Sequence, residues 1–133
     1  MTTIFERIIA REIPADIIYE DEIVMVFLDI KPVHTGHALV VPKVPFTNIF
    51  DGDPEILAHM MKVAAKIGAL QKERLGADGV NLTMNNNAAA GQEVFHAHLH
   101  VIPRYEGDHA FTPPRHETPS TEELTAIAEK LRN

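Results

Sequence analysis

The sequence predicts a single antiparallel α+β domain, and three observations lead to this class. Five short segments carry the apolar runs or the two-residue alternation that are typical of strands. Short turn-like stretches join several of these segments, which favours antiparallel pairing. Helical periodicity is confined to the two ends and to one long central segment, so the helices are segregated from the sheet.

The first third of the chain predicts a short helix and three strands. Thr3 and Glu6 have the spacing of a helix capping box, and apolar residues follow at helical spacing. Pro14 ends this helix, because the residue before a proline avoids helical geometry. The predicted strands cover residues 17–19, 23–29 and 37–42.

A long helix is predicted next, with Asp53 as N-cap, Pro54 in its first turn and Gly76 as C-cap. Residues 80–85 alternate as in a half-buried strand, and a loop at 86–91 leads to a fifth strand. A second capping box near residue 120 predicts a terminal helix.

Composition and charge exclude several classes of protein. The 133 residues suffice for one domain with a core. The formal net charge is −7 and Lys and Arg do not cluster, which argues against a nucleic-acid partner. Cysteine is absent, so disulfides, thiolate catalysis and thiolate metal sites are excluded. Because neither a membrane-spanning run nor a signal peptide is evident, we expect a cytoplasmic protein without a membrane partner.

Three histidines occupy every second position at His96, His98 and His100, with Ala97 and Leu99 between them. Side chains in a strand alternate between two faces. An extended segment would therefore place all three imidazoles on one face and the apolar residues in a core. These groups titrate near neutral pH, so the pattern predicts a functional site.

The residues alone allow three interpretations of this site. The histidines could hold a metal ion, with Glu93 or His37 as a further ligand. One imidazole could instead attack phosphorus, while its neighbours orient it and bind charged oxygens. The histidines could also fill a polar strand face, although three in strict alternation beside a Gly-Gln turn argue against this.

The segment 96–102, His-Ala-His-Leu-His-Val-Ile, resembles the His-φ-His-φ-His-φ-φ signature of the histidine triad family, in which φ is apolar. Residues 27–32 and 36–43 resemble the first half of that family, and residues 81–91 resemble its nucleotide-facing loop. The similarity covers nearly all of residues 3–107, in order and at the family's spacing, and it favours phosphorus chemistry.

The resemblance implies a HIT-like fold, with an antiparallel five-stranded sheet flanked by the long helix and shorter terminal helices. We expect one domain over residues 1–133, with a core at about 3–107 and a C-terminal extension at 108–133. The resemblance also implies a homodimer whose sheet continues into the partner subunit.

The resemblance further implies a hydrolase that acts at the α-phosphate of a nucleoside monophosphate unit and releases AMP. His98 matches the nucleophile, which forms a nucleotidyl-imidazole intermediate. His100 matches the residue that hydrogen-bonds the phosphate. His96 matches the residue that orients the nucleophile, and His37 a further histidine of the site.

Six other positions match the family's nucleotide-binding residues. Asp29 matches a carboxylate that accepts hydrogen bonds from both ribose hydroxyls. Ile30 matches a residue of the base pocket, and Asn85 a polar side chain near the α-phosphate. The last three form the turn that is expected to cradle phosphate through backbone N–H groups and an amide side chain: Gly91, Gln92 and Glu93.

Two departures from the family's pattern affect these expectations. Many relatives bind structural zinc through Cys-x-x-Cys, and Thr3 and Glu6 occupy the matching positions here. We therefore predict no structural zinc and no required cofactor. The phosphoramidase branch has serine at the position of Glu93, and an ionised carboxylate cannot donate a proton to a leaving amine.

The leaving group stays open at this stage. Asp29 and Ile30 resemble the nucleoside phosphoramidase branch, whereas residues 102–104 and 106–108 resemble the dinucleoside polyphosphate hydrolase branch. A purine nucleotide is implied by the family alone. A nucleotide-binding regulatory or interaction protein with little turnover is a further alternative.

Overall fold

A computed structural model of the chain describes residues 2–132 and contains one five-stranded antiparallel sheet. The strands are β1 (Ile17–Glu20), β2 (Val24–Leu28), β3 (Ala38–Pro42), β4 (Gly79–Thr83) and β5 (Leu99–Arg104). The helices are α1 (Ile4–Ile9), α2 (Pro54–Leu75) and α3 (Thr121–Leu131), with a short 3₁₀ turn at Ala88–Ala90. The strand order is β1-β2-β3-β5-β4, which confirms the predicted fold class.

The sheet separates two apolar clusters. On one face, the long helix α2 packs on residues from β2, β3 and β5, including Val26, Val40 and Val101. On the other face, Phe5 and Ile8 of α1 pack on the alternate residues of β2 and β3. The sheet is therefore buried on both sides near its centre, which explains why β2 and β3 are almost continuously apolar.

The helix ends follow the predicted local chemistry. Thr3 and Glu6 form the expected capping box, with reciprocal side-chain and backbone hydrogen bonds at 3.2 Å. Asp53 accepts a hydrogen bond from the Glu55 amide at the start of α2. Gly76 ends α2 at a φ of 71°, in the left-handed conformation that favours glycine.

The histidine segment is only partly a strand, which differs from the prediction. β5 begins at Leu99, so only His100 lies in the strand. His96 lies in a bend before it, and His98 lies between the bend and the strand. The Ala97 amide donates to the carbonyl of Phe46 at 2.8 Å instead of joining a ladder. The bend arises because the chain here is held by a loop of the first half, a contact that local sequence does not encode.

The C-terminal extension is anchored where it leaves β5. Asp108 accepts hydrogen bonds from Arg104 at 2.6 and 2.8 Å and from the backbone amides of Tyr105 and Ala110. It also contacts His34 Nε2 at 2.9 Å. The Arg104 guanidinium holds the pKa of the Asp108 carboxyl well below its usual range. The start of the extension is therefore tied to the loop that precedes β3.

The rest of the extension lies at the surface. The apolar side chains of α3 that recur at helical spacing, Leu124, Ile127 and Leu131, are exposed. Among residues 2–132, none of the helices combines the length and the apolar character that crossing a membrane requires.

Candidate active site

Four histidines meet on the face of the sheet that α1 covers. His100 lies opposite Leu39 in the β3–β5 ladder, and Leu39 belongs to the cluster under α1. The ring centroids of His98 and His100 are 5.0 Å apart, and those of His37 and His100 are 5.1 Å apart. The Phe5 ring of α1 packs edge-on against His98 at 4.9 Å and against His96 at 6.1 Å. The structure thus brings together all four predicted catalytic residues.

The hydrogen bond of His98 determines which of its nitrogens is free. Its Nδ1 lies 2.8 Å from the carbonyl oxygen of His96. A carbonyl only accepts, so Nδ1 carries the proton and, in the neutral ring, Nε2 carries the lone pair. Burial lowers the pKa of His98, and the His96 carbonyl opposes that shift only in part. At neutral pH the ring therefore offers an unprotonated Nε2, which can act as a nucleophile.

His37 and His100 form a directional chain of hydrogen bonds. The Val33 amide donates to His37 Nδ1 at 3.1 Å, so the proton of His37 lies on Nε2. His37 Nε2 is 2.9 Å from His100 Nδ1 and donates to it. The proton of His100 therefore lies on its Nε2. Burial is the largest cause that lowers the pKa of both rings, that of His100 to about 4. The chain thus presents a neutral N–H donor beside His98, which can bind a phosphate oxygen.

His96 is the most deeply buried of the four histidines. Its side chain is 1% exposed, and Nε2 donates to the Pro42 carbonyl at 2.8 Å. Its Nδ1 is buried without a hydrogen-bond partner within the described part of the chain. Burial lowers the pKa of His96. A neutral, clamped ring whose own carbonyl holds His98 suits an orienting role and not proton transfer.

A cavity of about 120 Å³ lies between α1 and the end of β2. Phe5, Ile8 and Phe27 contribute apolar walls, and Asp29 and Ile30 line the same cavity. The Ile30 side chain is 87% exposed, so it is not ordinary core. The cavity can accept a flat apolar group against residues that also contact the histidine cluster.

Asp29 joins this cavity to the histidines. Its Oδ1 accepts a hydrogen bond from the Lys31 amide at 2.9 Å, and its Oδ2 lies 3.7 Å from His37 Nε2. The carboxylate is partly exposed and retains further acceptor capacity, since two oxygens offer about four lone-pair positions. It can therefore accept hydrogen bonds from a bound diol.

The loop before the histidines is held mainly by its own hydrogen bonds. Asn85 Nδ2 donates to the Gly91 carbonyl at 3.2 Å. The amides of Gly91 and Gln92 donate to the carbonyls of Ala88 and Asn87. These two N–H groups are thus engaged within the loop, and Glu93 is exposed at its end. Phosphate binding by this turn stays a prediction.

The Gln92 side chain is fully engaged with protein. Its Oε1 accepts from Asn48 Nδ2 at 3.0 Å and from the Asn87 amide at 2.8 Å. Its Nε2 donates to the carbonyls of Thr47 at 2.7 Å and Val94 at 3.1 Å. An amide with four partners fixes two loops together. This geometry favours a supporting role for the side chain over direct contact with phosphate.

Asp29, His37 and His100 form one group within the described residues that could hold a metal ion, since their ligand atoms lie within 4.8 Å of one another. The hydrogen bond from Val33 argues against this use. It occupies His37 Nδ1 and leaves the ring proton on Nε2, whereas a metal needs a lone pair there. The geometry fits a hydrogen-bond chain better than a metal site, and independence from metal stays a prediction.

Three contributors to the site were not identified from the sequence. Phe5 packs on two of the histidines, but in the sequence it is one apolar residue of a helical stripe. The role of Val33 depends on its backbone amide, which any residue except proline supplies. Asn48, 3% exposed, holds Gln92 from a loop whose sequence carries no distinctive signal.

The fold and site place a cluster of four histidines beside a small apolar cavity, and comparison with known proteins identifies the class. The HIT domain model matches residues 10–107. The chain is 49% identical over 105 residues to a HIT-like protein of Methanocaldococcus jannaschii, covering 79% of this chain and 81% of that protein. It is 43% identical over 103 residues to the purine nucleoside phosphoramidase of Escherichia coli, covering 75% and 85%.

A solved HIT family structure from Bacillus subtilis superimposes with a TM-score of 0.89 at 35% identity, covering 98% of this chain and 95% of that one. The chain belongs to the HIT family. A further relative, an adenylylsulfatase of Arabidopsis thaliana, is 38% identical over 105 residues, covering 79% of this chain and 53% of that protein. The relatives named for an activity here are hydrolases, so the chain is a HIT family protein of the nucleotide hydrolase type.

Proposed function

We propose that the protein hydrolyses nucleoside phosphoramidates or related AMP conjugates at the α-phosphate through a covalent intermediate on His98. The observation that carries this proposal is the hydrogen bond from His98 Nδ1 to the His96 carbonyl, 2.8 Å long. This hydrogen bond leaves the lone pair on Nε2, where it can attack phosphorus. When Nε2 is phosphorylated the ring becomes cationic, and the carbonyl dipole then stabilises the Nδ1–H.

In the first step, His98 Nε2 attacks the α-phosphorus, and the bond from phosphorus to the leaving nitrogen or oxygen breaks. The leaving group takes up a proton from solvent, and a phospho-imidazolium remains on His98. The Nε2–H of His100 donates to a non-bridging oxygen throughout, supported by the His37 hydrogen bond. In the second step, water attacks phosphorus, the P–Nε2 bond breaks, and a proton passes to solvent as the nucleoside monophosphate leaves.

The nucleoside would occupy the cavity between α1 and β2. The Phe5 and Phe27 rings offer apolar surface to a base, and Ile30 would cover it from its exposed position. The Asp29 carboxylate would accept hydrogen bonds from the ribose hydroxyls. A purine is the proposed base because a relative at 43% identity is named a purine nucleoside phosphoramidase.

The exposed Glu93 favours an amine as the leaving group. It follows the loop at residues 86–91, and two residues separate it from His96. An ionised carboxylate attracts a cationic amine and repels a leaving phosphate. This charge supports amine-bearing substrates over dinucleoside polyphosphates.

The protein is also proposed to act as a homodimer. β4 is an edge strand, and its Leu82 is 37% exposed. An exposed edge strand is a natural site for pairing with a second chain. The uncovered apolar residues of α3 also favour a contact with a partner subunit. Sedimentation at micromolar concentration would distinguish a dimer from a monomer.

The test uses His98→Ala and His98→Gly with an adenosine phosphoramidate and, separately, a diadenosine polyphosphate. We expect wild-type protein to release AMP, faster from the phosphoramidate, with no change on addition of a chelator. Both variants should lose release while AMP still binds. His116→Ala, a change of an exposed histidine outside the cluster, is the matched control and should retain activity.

Each other result contradicts a part of the proposal. Release that persists in the His98 variants rejects His98 as nucleophile. Release that disappears with chelator indicates metal-dependent chemistry. AMP binding by wild-type protein without release from either substrate assigns the protein to the nucleotide-binding regulators.

A further inference from the structure

Gln71 is a buried polar residue on the face of the sheet opposite the histidines. It lies on α2 and is 4% exposed. Its Nε2 donates to the carbonyl of Gly36 at 3.0 Å and to the carbonyl of Val101 at 2.9 Å. Both partners only accept hydrogen bonds, so the NH₂ end of the amide must face them. One side chain thus uses both donor hydrogens to bridge the turn before β3 and strand β5.

The two bridged carbonyls lie next to the catalytic pair in sequence. Gly36 directly precedes His37, and Val101 directly follows His100. The β3–β5 ladder pairs Ala38 with Val101 at this end, and His37 lies just outside it. The Gln71 amide therefore holds the backbone of His37 in place relative to that of His100, from the face of the sheet that α2 covers. On the opposite face, His37 Nε2 lies 2.9 Å from His100 Nδ1.

Gln71 is itself fixed by the end of the helix. Its carbonyl accepts from the amide of Gly76, the C-cap of α2, and from the amide of Ala77 at 3.3 Å. The side-chain Oε1 is buried and has no hydrogen-bond partner within the described residues. Leaving a buried acceptor unsatisfied is unfavourable, and an apolar residue here would avoid that cost. What the amide supplies in return is a pair of hydrogen bonds, one to the turn before β3 and one to β5.

We propose that Gln71 is a positioning residue that holds His37 and His100 at hydrogen-bonding distance. By fixing the turn before β3 to β5, it keeps the hydrogen-bond chain from Val33 through His37 to His100 intact. It thereby keeps the proton of His100 on Nε2. The consequence for turnover rests on the proposed function, because His100 acts there as the donor to the phosphate. The consequence for the imidazole pair does not.

The test compares Gln71→Met with Ile67→Ala. Methionine has a similar length but no donor, so it removes both hydrogen bonds while filling the same space. Ile67 lies on the same buried face of α2, one turn earlier, and packs in the core. Its side chain has no hydrogen-bond donor, so it makes no hydrogen bond to the carbonyls of Gly36 and Val101. It controls for a general loss of stability, since a buried Ile→Ala change destabilises substantially.

The first measurement is the ¹⁵N NMR spectrum of the histidine rings in the substrate-free protein. In wild-type protein and in Ile67→Ala, we expect the neutral Nε2–H tautomer for both His37 and His100, with Nδ1 of His100 shifted by its hydrogen bond. In Gln71→Met, we expect His100 to show a mixture of tautomers. Unchanged His37 and His100 signals in Gln71→Met would overturn the proposal, as would an equal change in Ile67→Ala.

The second measurement is turnover. We expect kcat to fall about tenfold or more in Gln71→Met, because small displacements of a catalytic donor are costly, with KM changed less than about threefold. Gln71→Glu refines this result. A carboxyl buried against two carbonyls has a raised pKa and donates one hydrogen only while protonated. The activity ratio of Gln71→Glu to Gln71→Met should therefore rise as pH decreases from 8 to 6, and a constant ratio would contradict the donor role.

The two measurements separate the possible failures. If wild-type protein releases no AMP, the proposed function fails, yet the NMR comparison still decides whether Gln71 positions the imidazole pair. If turnover is normal in Gln71→Met while the tautomers change, the geometric part stands and the role of His100 as phosphate donor is rejected.

Discussion

The clearest structural prediction concerns Gln92, whose amide joins the loop that contains Asn48 to the segment before the histidines. Gln92→Met removes four hydrogen bonds from a side chain that is 4% exposed. The bond to the Asn48 side chain is buried, and leaving that group unsatisfied costs about 2 kcal/mol. The other three bonds are partly buried, so their partners can reach water, and each contributes about 0.5–1 kcal/mol.

We expect Gln92→Met to lower the free energy of unfolding by about 3 kcal/mol, because burial of the methionine side chain offsets part of these losses. Urea denaturation measures it: with an m-value of about 1.5 kcal/mol per molar, the midpoint should decrease by about 2 M at unchanged m. Glu93→Gln, next in sequence and exposed, should change the free energy of unfolding by less than about 0.5 kcal/mol. A loss below about 1 kcal/mol in Gln92→Met would refute the view that this amide is a structural clamp.

Two further predictions concern pH and backbone conformation. Burial lowers the pKa of all four clustered histidines, that of His100 from 6.5 to about 4. Below pH about 6.5 the unfolded chain therefore binds protons that the folded chain does not. The free energy of unfolding should decrease for this reason as pH falls towards 4, and His100 alone should account for about 3 kcal/mol of the decrease. Urea titrations at several pH values test this, and an equally steep decrease in His100→Gln would contradict it. Gly36→Ala should cost about 2–3 kcal/mol, because φ is 102°, a conformation that residues with a Cβ rarely adopt. The Leu75 methyl group that the new Cβ would meet belongs to an exposed side chain and can move away. Gly76→Ala, at a φ of 71° with open space, should cost only about 1 kcal/mol. Equal losses in the two variants would contradict the view that the backbone of Gly36 is the more strained.

Local patterns predicted much of the fold because they depend on neighbouring residues. Thr3 with Glu6, and Ser120 with Glu123, form the capping boxes that their spacing predicted. Asp53 and Gly76 mark the ends of α2 as expected. Each of these signals works through hydrogen bonds within one helical turn, so the sequence contains the whole interaction.

The histidine segment shows where local patterns failed. Strict alternation predicted a strand through His96, yet β5 begins at Leu99. The bend depends on the carbonyl of Phe46, which accepts from the Ala97 amide, and on the His96 carbonyl, which accepts from the His98 ring. The alternation nevertheless identified the right cluster, because all three rings still lie together with His37.

The sequence alone determined which chemical groups the predicted site can use: the imidazoles of His37, His96, His98 and His100, the carboxylates of Asp29 and Glu93, and no thiol, since cysteine is absent. Only the tertiary structure decided how those groups are protonated. The proton position on His96 depends on the Pro42 carbonyl 54 residues away, and that on His100 depends on His37 at a separation of 63 residues. Burial, which lowers the pKa of all four rings, likewise arises from packing of distant elements. Protonation states follow the partners and the solvent that surround each ring, and these are set when the chain folds.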